Sequence, residues 1–266
     1  MCLLFALLAC TGGTGADPDD SGVAGDTDDP PPTDDTGTSS TVPLTASLTG
    51  TVMDPDGNPV AGARVNVCRH VCRTITTEAD GAYAFEALEA WTATYYVVPE
   101  EGSGYANPMV TLTLADGEAR AIDVVLDPFD TPQGLPRVAS EVEVTDGLYL
   151  TIGADNLTPP PLEDLPAEVA AVRVPAEHRL DVEVDGAVLD VWYLSPWEAT
   201  SETGVAVRMD NLWGLAPGDR ARAFVVSEPT AYTWLDAGEL VVEEDGATLA
   251  GDASLPILTT LALVRE

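Results

Sequence analysis

Two cysteines with a histidine between them are the side chains of this chain best suited to chemistry. Cys68, His70 and Cys72 include two thiols that can form a disulfide, and all three groups are ones that zinc accepts as ligands. A structural zinc site takes four ligands, and the sequence has no second cluster that could supply the fourth. We therefore favour a disulfide between Cys68 and Cys72 over a metal site.

The strands around these cysteines must place both thiols on one face. Val65 and Val67 alternate with polar residues, which is the period of a half-buried strand, so Cys68 belongs to the outer face. Ile75 is the expected core residue of the next strand, which puts Cys72 on the outer face as well. A cross-strand disulfide at the mouth of this hairpin requires Cα atoms within about 6–7 Å of each other.

A third cysteine, Cys10, ends a short apolar run at the N-terminus. The residues Leu7-Leu8-Ala9-Cys10 resemble the lipobox of bacterial lipoproteins. The resemblance implies cleavage before Cys10 and a diacylglyceryl group on its thiol, and Thr11 after it is similar to an outer-membrane sorting signal. Residues 3–9 are too few to span a membrane, which takes about 20, but they suit a signal peptide. The alternative is a buried N-terminal strand, which the acidic segment that follows disfavours.

The residue combinations typical of enzymes are missing from the sequence. Two histidines serve the whole chain, and there is no H-E-x-x-H, P-loop or dinucleotide-binding motif. Gly102-Ser103-Gly104 does not have the spacing of a nucleophile elbow. Pairs of carboxylates are abundant among 45 acidic residues, but nothing singles out one pair. We predict that the chain is not an enzyme, has no catalytic residues and needs no cofactor or metal.

The charge of the chain excludes one class of partner. There are 11 basic residues, all of them arginine, against 45 acidic ones, which gives a net charge of -34. Nucleic acids are polyanions whose binding needs cationic side chains at the phosphates. We therefore predict no nucleic-acid partner. The acidity favours solubility, and divalent-cation binding is the alternative.

Aromatic side chains are the remaining candidates for recognition. Four tryptophans, Trp192, Trp197, Trp213 and Trp234, lie close together in the second half of the chain. Trp197 and Trp213 stand beside turn residues, where loops can expose side chains to an envelope protein or a glycan. Trp192 and Trp234 lie in alternating strand patterns and are expected in the core. The alternative is that all four pack in a core.

An acidic segment separates the N-terminus from everything that can fold. Residues 16–41 hold eight Asp and four Pro, no basic residue, and one aliphatic side chain larger than alanine, Val23. Such a segment buries too little apolar surface to offset the entropy of ordering it. We predict a disordered linker that holds the folded part away from the membrane.

The first folded region has strand and turn patterns between residues 46 and 127. Asp56-Gly57-Asn58-Pro59 is strong turn chemistry, and Val110 to Leu114 and Ile122 to Leu126 alternate around Asp116-Gly117 as in a hairpin. The landmark residues of the region are Gly50-Thr51-Val52, Asp54, Gly57, Pro59, Gly62-Ala63, Val65, Thr77, Asp80-Gly81, Tyr83 and Phe85. On these residues the region resembles the carboxypeptidase regulatory-like domain, a seven-stranded sandwich of transthyretin type, which implies a non-catalytic accessory module.

The second folded region, residues 138–266, follows a Pro-rich connector at 128–137. Residues 180–184 and 189–193 alternate on either side of Asp185-Gly186, and residues 221–226 form another strand pattern. Its further motifs are Ser195-Pro196, Asn211 with Gly214-Leu215-Ala216-Pro217-Gly218, Trp234 with Gly238, and Val242 with Asp245-Gly246. On these motifs the region is distantly similar to ZU5-like domains. These are turn and core residues, so they indicate a fold and not an activity.

These patterns together predict an all-β protein with two β-sandwich domains in tandem. The order is a signal peptide (1–9), lipidated Cys10 with the acidic linker (10–45), two modules (46–127 and 138–266) and the connector, with each module folding independently. We expect a non-enzymatic lipoprotein of the bacterial cell envelope, anchored in the outer membrane, with a structural, adhesive or accessory role. The alternative is a carbohydrate-binding protein that uses Trp197 and Trp213.

Overall fold

The computed structural model describes residues 45–266, and these residues are almost entirely β-strand. The predicted signal peptide, Cys10 and most of the acidic linker lie outside the described residues. Within the described range the one helical element is a short 3-10 helix, Ala176–His178. No helix in residues 45–266 is long and apolar enough to cross a membrane.

The first module is a sandwich of two four-stranded sheets. Its strands are β1 (Thr45–Met53), β2 (Arg64–Cys68), β3 (Cys72–Thr76), β4 (Ala82–Glu89), β5 (Thr92–Val98), β6 (Met109–Thr113), β7 (Ala119–Ala121) and β8 (Val124–Val125). One sheet has the order β4-β1-β7, with β8 also on β1, and the other has the order β3-β2-β5-β6. The core between them contains Leu48, Val65, Phe85 and Tyr95, which are the inward residues of alternating strands.

The hairpin expected around Asp116-Gly117 does not form. β6 pairs with β5 in one sheet, whereas β7 and β8 run parallel to β1 in the other. The alternation of residues 110–114 and 122–126 correctly identified their buried faces, since Val110, Leu112, Val124 and Leu126 are all buried. Alternation shows which face of a strand is buried, but it does not select the neighbouring strand, so the hairpin prediction was wrong.

The second module is built on one large sheet. Its strands are β9 (Gln133–Gly134), β10 (Ser140–Thr145), β11 (Leu148–Ile152), β12 (Glu168–Arg173), β13 (Ala187–Ser195), β14 (Thr200–Asp210), β15 (Arg220–Val226), β16 (Trp234–Val242), β17 (Thr248–Gly251), β18 (Ser254–Ile257) and β19 (Thr260–Arg265). The order is β10-β11-β14-β17-β16-β15-β19-β13-β12-β9, and β18 pairs with β14. The sheet encloses an aliphatic core around Trp192. β9 lies within the predicted connector, so part of that segment belongs to this sheet.

Turn chemistry predicted from the sequence is present in the second module. The side-chain amide of Asn211 donates to the carbonyls of Leu215 and Gly246, both at 2.8 Å, and its oxygen accepts from the Leu215 N–H at 3.1 Å. One side chain therefore joins the turn at 214–218 to the Asp245-Gly246 turn. In the first module, Asp54 accepts from the backbone N–H groups of Asp56 and Asn58, which is the pattern of a turn cap.

One predicted strand of the second module is absent. Residues 180–184 form no strand, although their apolar side chains alternate. Leu180 is buried in the core of the first module, and Val182 packs against a smaller cluster between the modules. The alternation therefore reflects contact with the other module and not pairing in a sheet.

The two modules share a buried boundary, and all the described residues belong to one compact unit. Two small apolar clusters form this boundary. One contains Cys68, Tyr96, Met109 and Val226, and the other contains Ala106 of the first module with residues of β12, β13 and β19. The backbone N–H of Met109 also donates to the Thr260 hydroxyl at 3.2 Å. The module limits predicted from the sequence remain predictions.

Candidate functional site

The predicted cysteine pair is bonded and lies at the boundary between the modules. Cys68 and Cys72 are directly opposite each other in the β2–β3 hairpin, with Cα atoms 4.0 Å apart, and their sulfurs form a disulfide. The hydroxyl of Tyr96 contacts both sulfurs, at 3.6 and 3.9 Å. The outer face that strand parity assigned to Cys68 is therefore correct, but the second module covers that face and Cys68 is completely buried.

Trp197 lies against this disulfide region. Its ring centroid is 5.3 Å from that of Tyr96, it packs on the cluster of Cys68 and Met109, and its indole N–H is buried with no hydrogen-bond partner among the described residues. The next residue, Glu198, is also half-buried. Burial, together with the carboxylates of Glu163 and Glu228, raises the pKa of Glu198 to about 7.

Trp213 is half-buried and is held by a buried carboxylate. Its indole N–H donates to Asp190 at 3.2 Å, and its ring meets that of Trp192 edge to face at 6.1 Å. Asp190 is fully buried and also accepts from the guanidinium groups of Arg173 and Arg179. Much of the Trp213 side chain is therefore occupied by packing and hydrogen bonding, and its role in recognition remains a prediction.

The other two tryptophans differ from each other. Trp192 is buried in the second core, as expected. Trp234 is only half-buried, and it packs against the first core and both boundary clusters at once. Its position at the start of β16 gave no sign of this, because the contact is made with residues far away in the sequence.

The two histidines make different contacts. His178 lies 2.8 Å from a carboxylate oxygen of Asp127, a contact that joins the 3-10 helix to the end of the first module. Burial raises the pKa of Asp127, although the hydrogen bond to His178 opposes that shift. His70 is exposed at the tip of the β2–β3 hairpin and meets the ring of Tyr232 edge to face. Within residues 45–266, no group of three or more His, Cys, Asp or Glu side chains is arranged to hold a metal ion.

Two open clefts follow the boundary between the modules, and both contain aromatic side chains. The first, here the proline cleft, includes Pro99, Tyr105, Phe129, Pro160, Glu163 and Trp197 and has a volume of about 760 Å³. The second, here the threonine cleft, includes Thr92, Thr111, Thr113, Phe224, Tyr232 and Trp234 and has a volume of about 550 Å³. Both volumes fall in the range of about 300–1,000 Å³ typical of small-molecule sites.

A family model supports the resemblance stated for the first module. Residues 47–127 match the carboxypeptidase regulatory-like domain. The match covers the first module and does not extend to the second, so the similarity to ZU5-like domains remains a prediction. No curated protein sequence matches the chain.

Solved structures that align with much of the chain come from bacterial proteins. A proposed carbohydrate-binding protein of Bacteroides uniformis is 14% identical, with 83% of this chain and 79% of the other covered and a TM-score of 0.26. The streptococcal ancillary pilin is 13% identical, with 81% and 52% covered and a TM-score of 0.27. A variant of BcpA, the major pilin subunit of Bacillus cereus, is 11% identical, with 79% and 85% covered and a TM-score of 0.26. Scores this low carry no argument about this chain.

Proposed function

We propose that this chain is a non-enzymatic lipoprotein of the bacterial cell envelope, with a structural, adhesive or accessory role. One observation carries the proposal: the side chains best suited to chemistry are engaged in contacts within the protein. Cys68 and Cys72 are bonded to each other, His178 contacts Asp127, and Asp190 holds two arginines. The match of residues 47–127 to an accessory domain family is in keeping with such a role.

The anchor in this proposal is a lipid on Cys10, inserted in the outer membrane. Its support is the sequence Leu7-Leu8-Ala9-Cys10 followed by an acidic segment. Acyl chains contribute about 0.8 kcal/mol for each buried CH₂ group, so two or three chains give stable attachment. The acidic segment and the folded modules then need no further contact with the membrane, whose anionic lipids would repel a chain with a net charge of -34.

The absence of lysine gives a sharp test of this anchor. A mature chain acylated on the α-amino group of Cys10 would contain no primary amine, because every other cation is arginine or histidine. The full gene is expressed in a related bacterium with a fatty-acid probe, and the protein is then treated with an amine-reactive dye. We expect fatty-acid label without dye for the native chain, and dye without fatty-acid label for Cys10→Ser. Fatty-acid label retained by Cys10→Ser would disprove the assignment.

Carbohydrate binding is the second candidate function. The observation that favours it is the pair of aromatic clefts at the module boundary, one of which includes Trp197. Aromatic rings offer large apolar surfaces, and the polar residues beside them can bind hydroxyl groups. Binding of the native protein to a glycan array, compared with Trp197→Ala and Trp213→Ala, tests this function. If the native protein binds no glycan and no envelope extract, the purely structural role is the one supported.

A further inference from the structure

The threonine cleft has two chemically different walls. The second module supplies the aromatic wall, in which Phe224 lies on β15 and Tyr232 and Trp234 lie at the β15–β16 connection. The first module supplies the threonines of the polar wall, in which Thr92 lies on β5 and Thr111 and Thr113 lie on β6, and Glu183 of the second module completes that wall. The cleft therefore exists only when the two modules are joined.

The aromatic wall is held in place from both modules. Phe224 lies on the face of β15 opposite to Ala223 and Val225, which are in the second core, so its half-buried ring is directed away from that core. The tip of the β2–β3 hairpin approaches Tyr232, with the Arg69 guanidinium 5.9 Å from the Tyr232 ring centroid and 4.4 Å from that of Trp91. The disulfide between Cys68 and Cys72 closes this same hairpin tip.

The polar wall is a chain of hydrogen bonds in which each donor and acceptor is defined. Glu183 accepts from the Thr113 hydroxyl at 2.8 Å and from the Thr113 N–H at 3.2 Å. Because the Thr113 hydroxyl proton goes to Glu183, the 3.0 Å contact between the Thr92 and Thr113 hydroxyls must have Thr92 as its donor. The remaining lone pairs of Thr92 and Glu183 are acceptors, and a ligand rich in hydroxyl donors can use them.

The charges around the cleft disfavour an anionic ligand. Two carboxylates, Glu183 and Asp185, belong to its lining, and no arginine does. Arg120 lies 3.8 Å from Glu183 but is paired more closely with Glu118, at 2.6 Å. The lining carboxylates and the net charge of -34 both repel anions, whereas a neutral ligand rich in hydroxyl groups meets no such repulsion.

We propose that the threonine cleft binds a neutral oligosaccharide. The apolar faces of sugar rings lie against Phe224, Tyr232 and Trp234, and sugar hydroxyls donate to Thr92 and Glu183. The proposal rests on the second candidate function, carbohydrate binding, and assigns it to residues other than Trp197 and Trp213. The aromatic and hydroxyl walls come from different modules, so binding also depends on their union.

The test uses the protein with its two modules joined and four neutral hexasaccharides, built from glucose, mannose, galactose and N-acetylglucosamine. Binding is measured by calorimetry and by tryptophan fluorescence. We expect at least one hexasaccharide to bind the native protein and Tyr232→Ala to weaken that affinity roughly tenfold or more, as loss of a contact aromatic does. Tyr232→Phe keeps the ring and is expected to keep most of the affinity. Glu183→Gln, which lacks one acceptor oxygen, is expected to weaken binding as well.

One control variant and one competing-site variant separate the location of the site from the function. Tyr149→Ala removes a half-buried aromatic ring outside both clefts and is expected to leave the affinity unchanged. Trp197→Ala removes the tryptophan of the proline cleft and reports whether the sugar binds there instead. Weakening by Trp197→Ala alone would keep carbohydrate binding but overturn the threonine cleft as its site. The proposal would also be overturned if no hexasaccharide bound at millimolar concentration, or if a tetra-arginine peptide bound while all four sugars failed. Melting temperatures of all variants show whether a loss of binding comes from loss of the fold.

Discussion

At the scale of single residues, the polar groups that matter most are those buried without access to water. Asp190 is the centre of such a group, because one buried carboxylate accepts from Arg173, Arg179 and the indole of Trp213. Its three partners come from β12, the segment before β13 and the turn after β14. A single aspartate therefore fixes the relative positions of three parts of the second module that are distant in sequence.

We predict that Asp190→Ala destabilises the protein. The substitution leaves two guanidinium groups without their counter-charge, but the side chains of Arg173 and Arg179 are 39% and 21% exposed, so water compensates in part and the expected cost is about 1–3 kcal/mol. Urea unfolding followed by tryptophan fluorescence measures the change in the free energy of unfolding. Glu168→Ala removes an exposed carboxylate of β12 and is expected to stay within about 0.5 kcal/mol of the native value. Similar small effects for both variants would contradict the role assigned to Asp190.

Glu198 gives the protein a pH dependence of predictable sign. Its pKa is raised from 4.5 to about 7, mainly by burial, so the folded state holds this proton more tightly than the unfolded state does. The contribution of Glu198 to stability is therefore fully present below pH 4.5 and is lost as the pH rises through about 7.

We predict that Glu198→Gln has a higher melting temperature than the native protein at pH 8 and the same melting temperature at pH 4. The amide carries no charge to bury, so the difference between the two proteins is expected to grow between pH 4.5 and about 7. Glu202→Gln, a change at an exposed position of β14, serves as the control. If the melting temperatures of Glu198→Gln and the native protein changed identically with pH, ionisation of Glu198 would not destabilise the fold, and the prediction would be wrong.

At the scale of elements, the β2–β3 hairpin carries the disulfide and also contacts the second module. Its disulfide lies under Tyr96 and close to Trp197, and its tip carries Arg69 and His70 to the ring of Tyr232. The hairpin therefore contributes to the module boundary as well as to the first sandwich.

We predict that loss of this disulfide lowers stability by about 2 kcal/mol, the value expected for so short a loop from chain entropy. The comparison is between the oxidised native protein and the double variant Cys68→Ala, Cys72→Ala in urea unfolding. Mass spectrometry of a non-reduced digest should show the native peptide two hydrogens lighter than its reduced form. Free thiols in protein produced in an oxidising compartment would contradict the pairing.

At the scale of the whole molecule, the contact between the modules changes what their composition implied. The Pro-rich connector predicted two independent units, but Phe129 packs in a boundary cluster and β9 pairs with β12. Three residues on the outer face of the β3-β2-β5-β6 sheet, Thr94, Tyr96 and Met109, are buried, and Tyr96 and Met109 pack with Val226 of the second module. Separation of the modules would expose this apolar face to water.

We therefore predict that the folded part unfolds in a single calorimetric transition. Limited proteolysis is expected to cut within residues 11–42 first and to leave one fragment that contains both modules, since residues 128–137 are tied into the fold. The variant Met109→Asp places a charge in the boundary between the modules. It is expected to split the transition into two or to lower its midpoint temperature markedly. Two well-separated transitions in the native protein would instead support independent modules.

Much of the fold could be predicted from the sequence, because strand period and turn chemistry are local properties. The alternation of Val65 and Val67 with polar neighbours determined the face of Cys68, and hence its bond to Cys72. The hydrogen bonds of Asn211 and Asp54 follow from their turn positions in the same way. The first module could be identified from its motif residues, since these occupy turns and core positions of fixed spacing.

Tertiary structure alone decided which strands are neighbours and which outer faces are covered. β7 and β8 pair with β1 and not with β6, Leu180 enters the core of the other module, and Trp234 lies at a cleft while Trp213 is held by Asp190. None of these contacts has a local signature, because each joins residues far apart in sequence whose own patterns fit several partners equally well. The candidate site depends on such contacts throughout: Thr92 and Thr113 come from one module and Phe224 and Tyr232 from the other, and only the packing of the two modules brings them to one cleft.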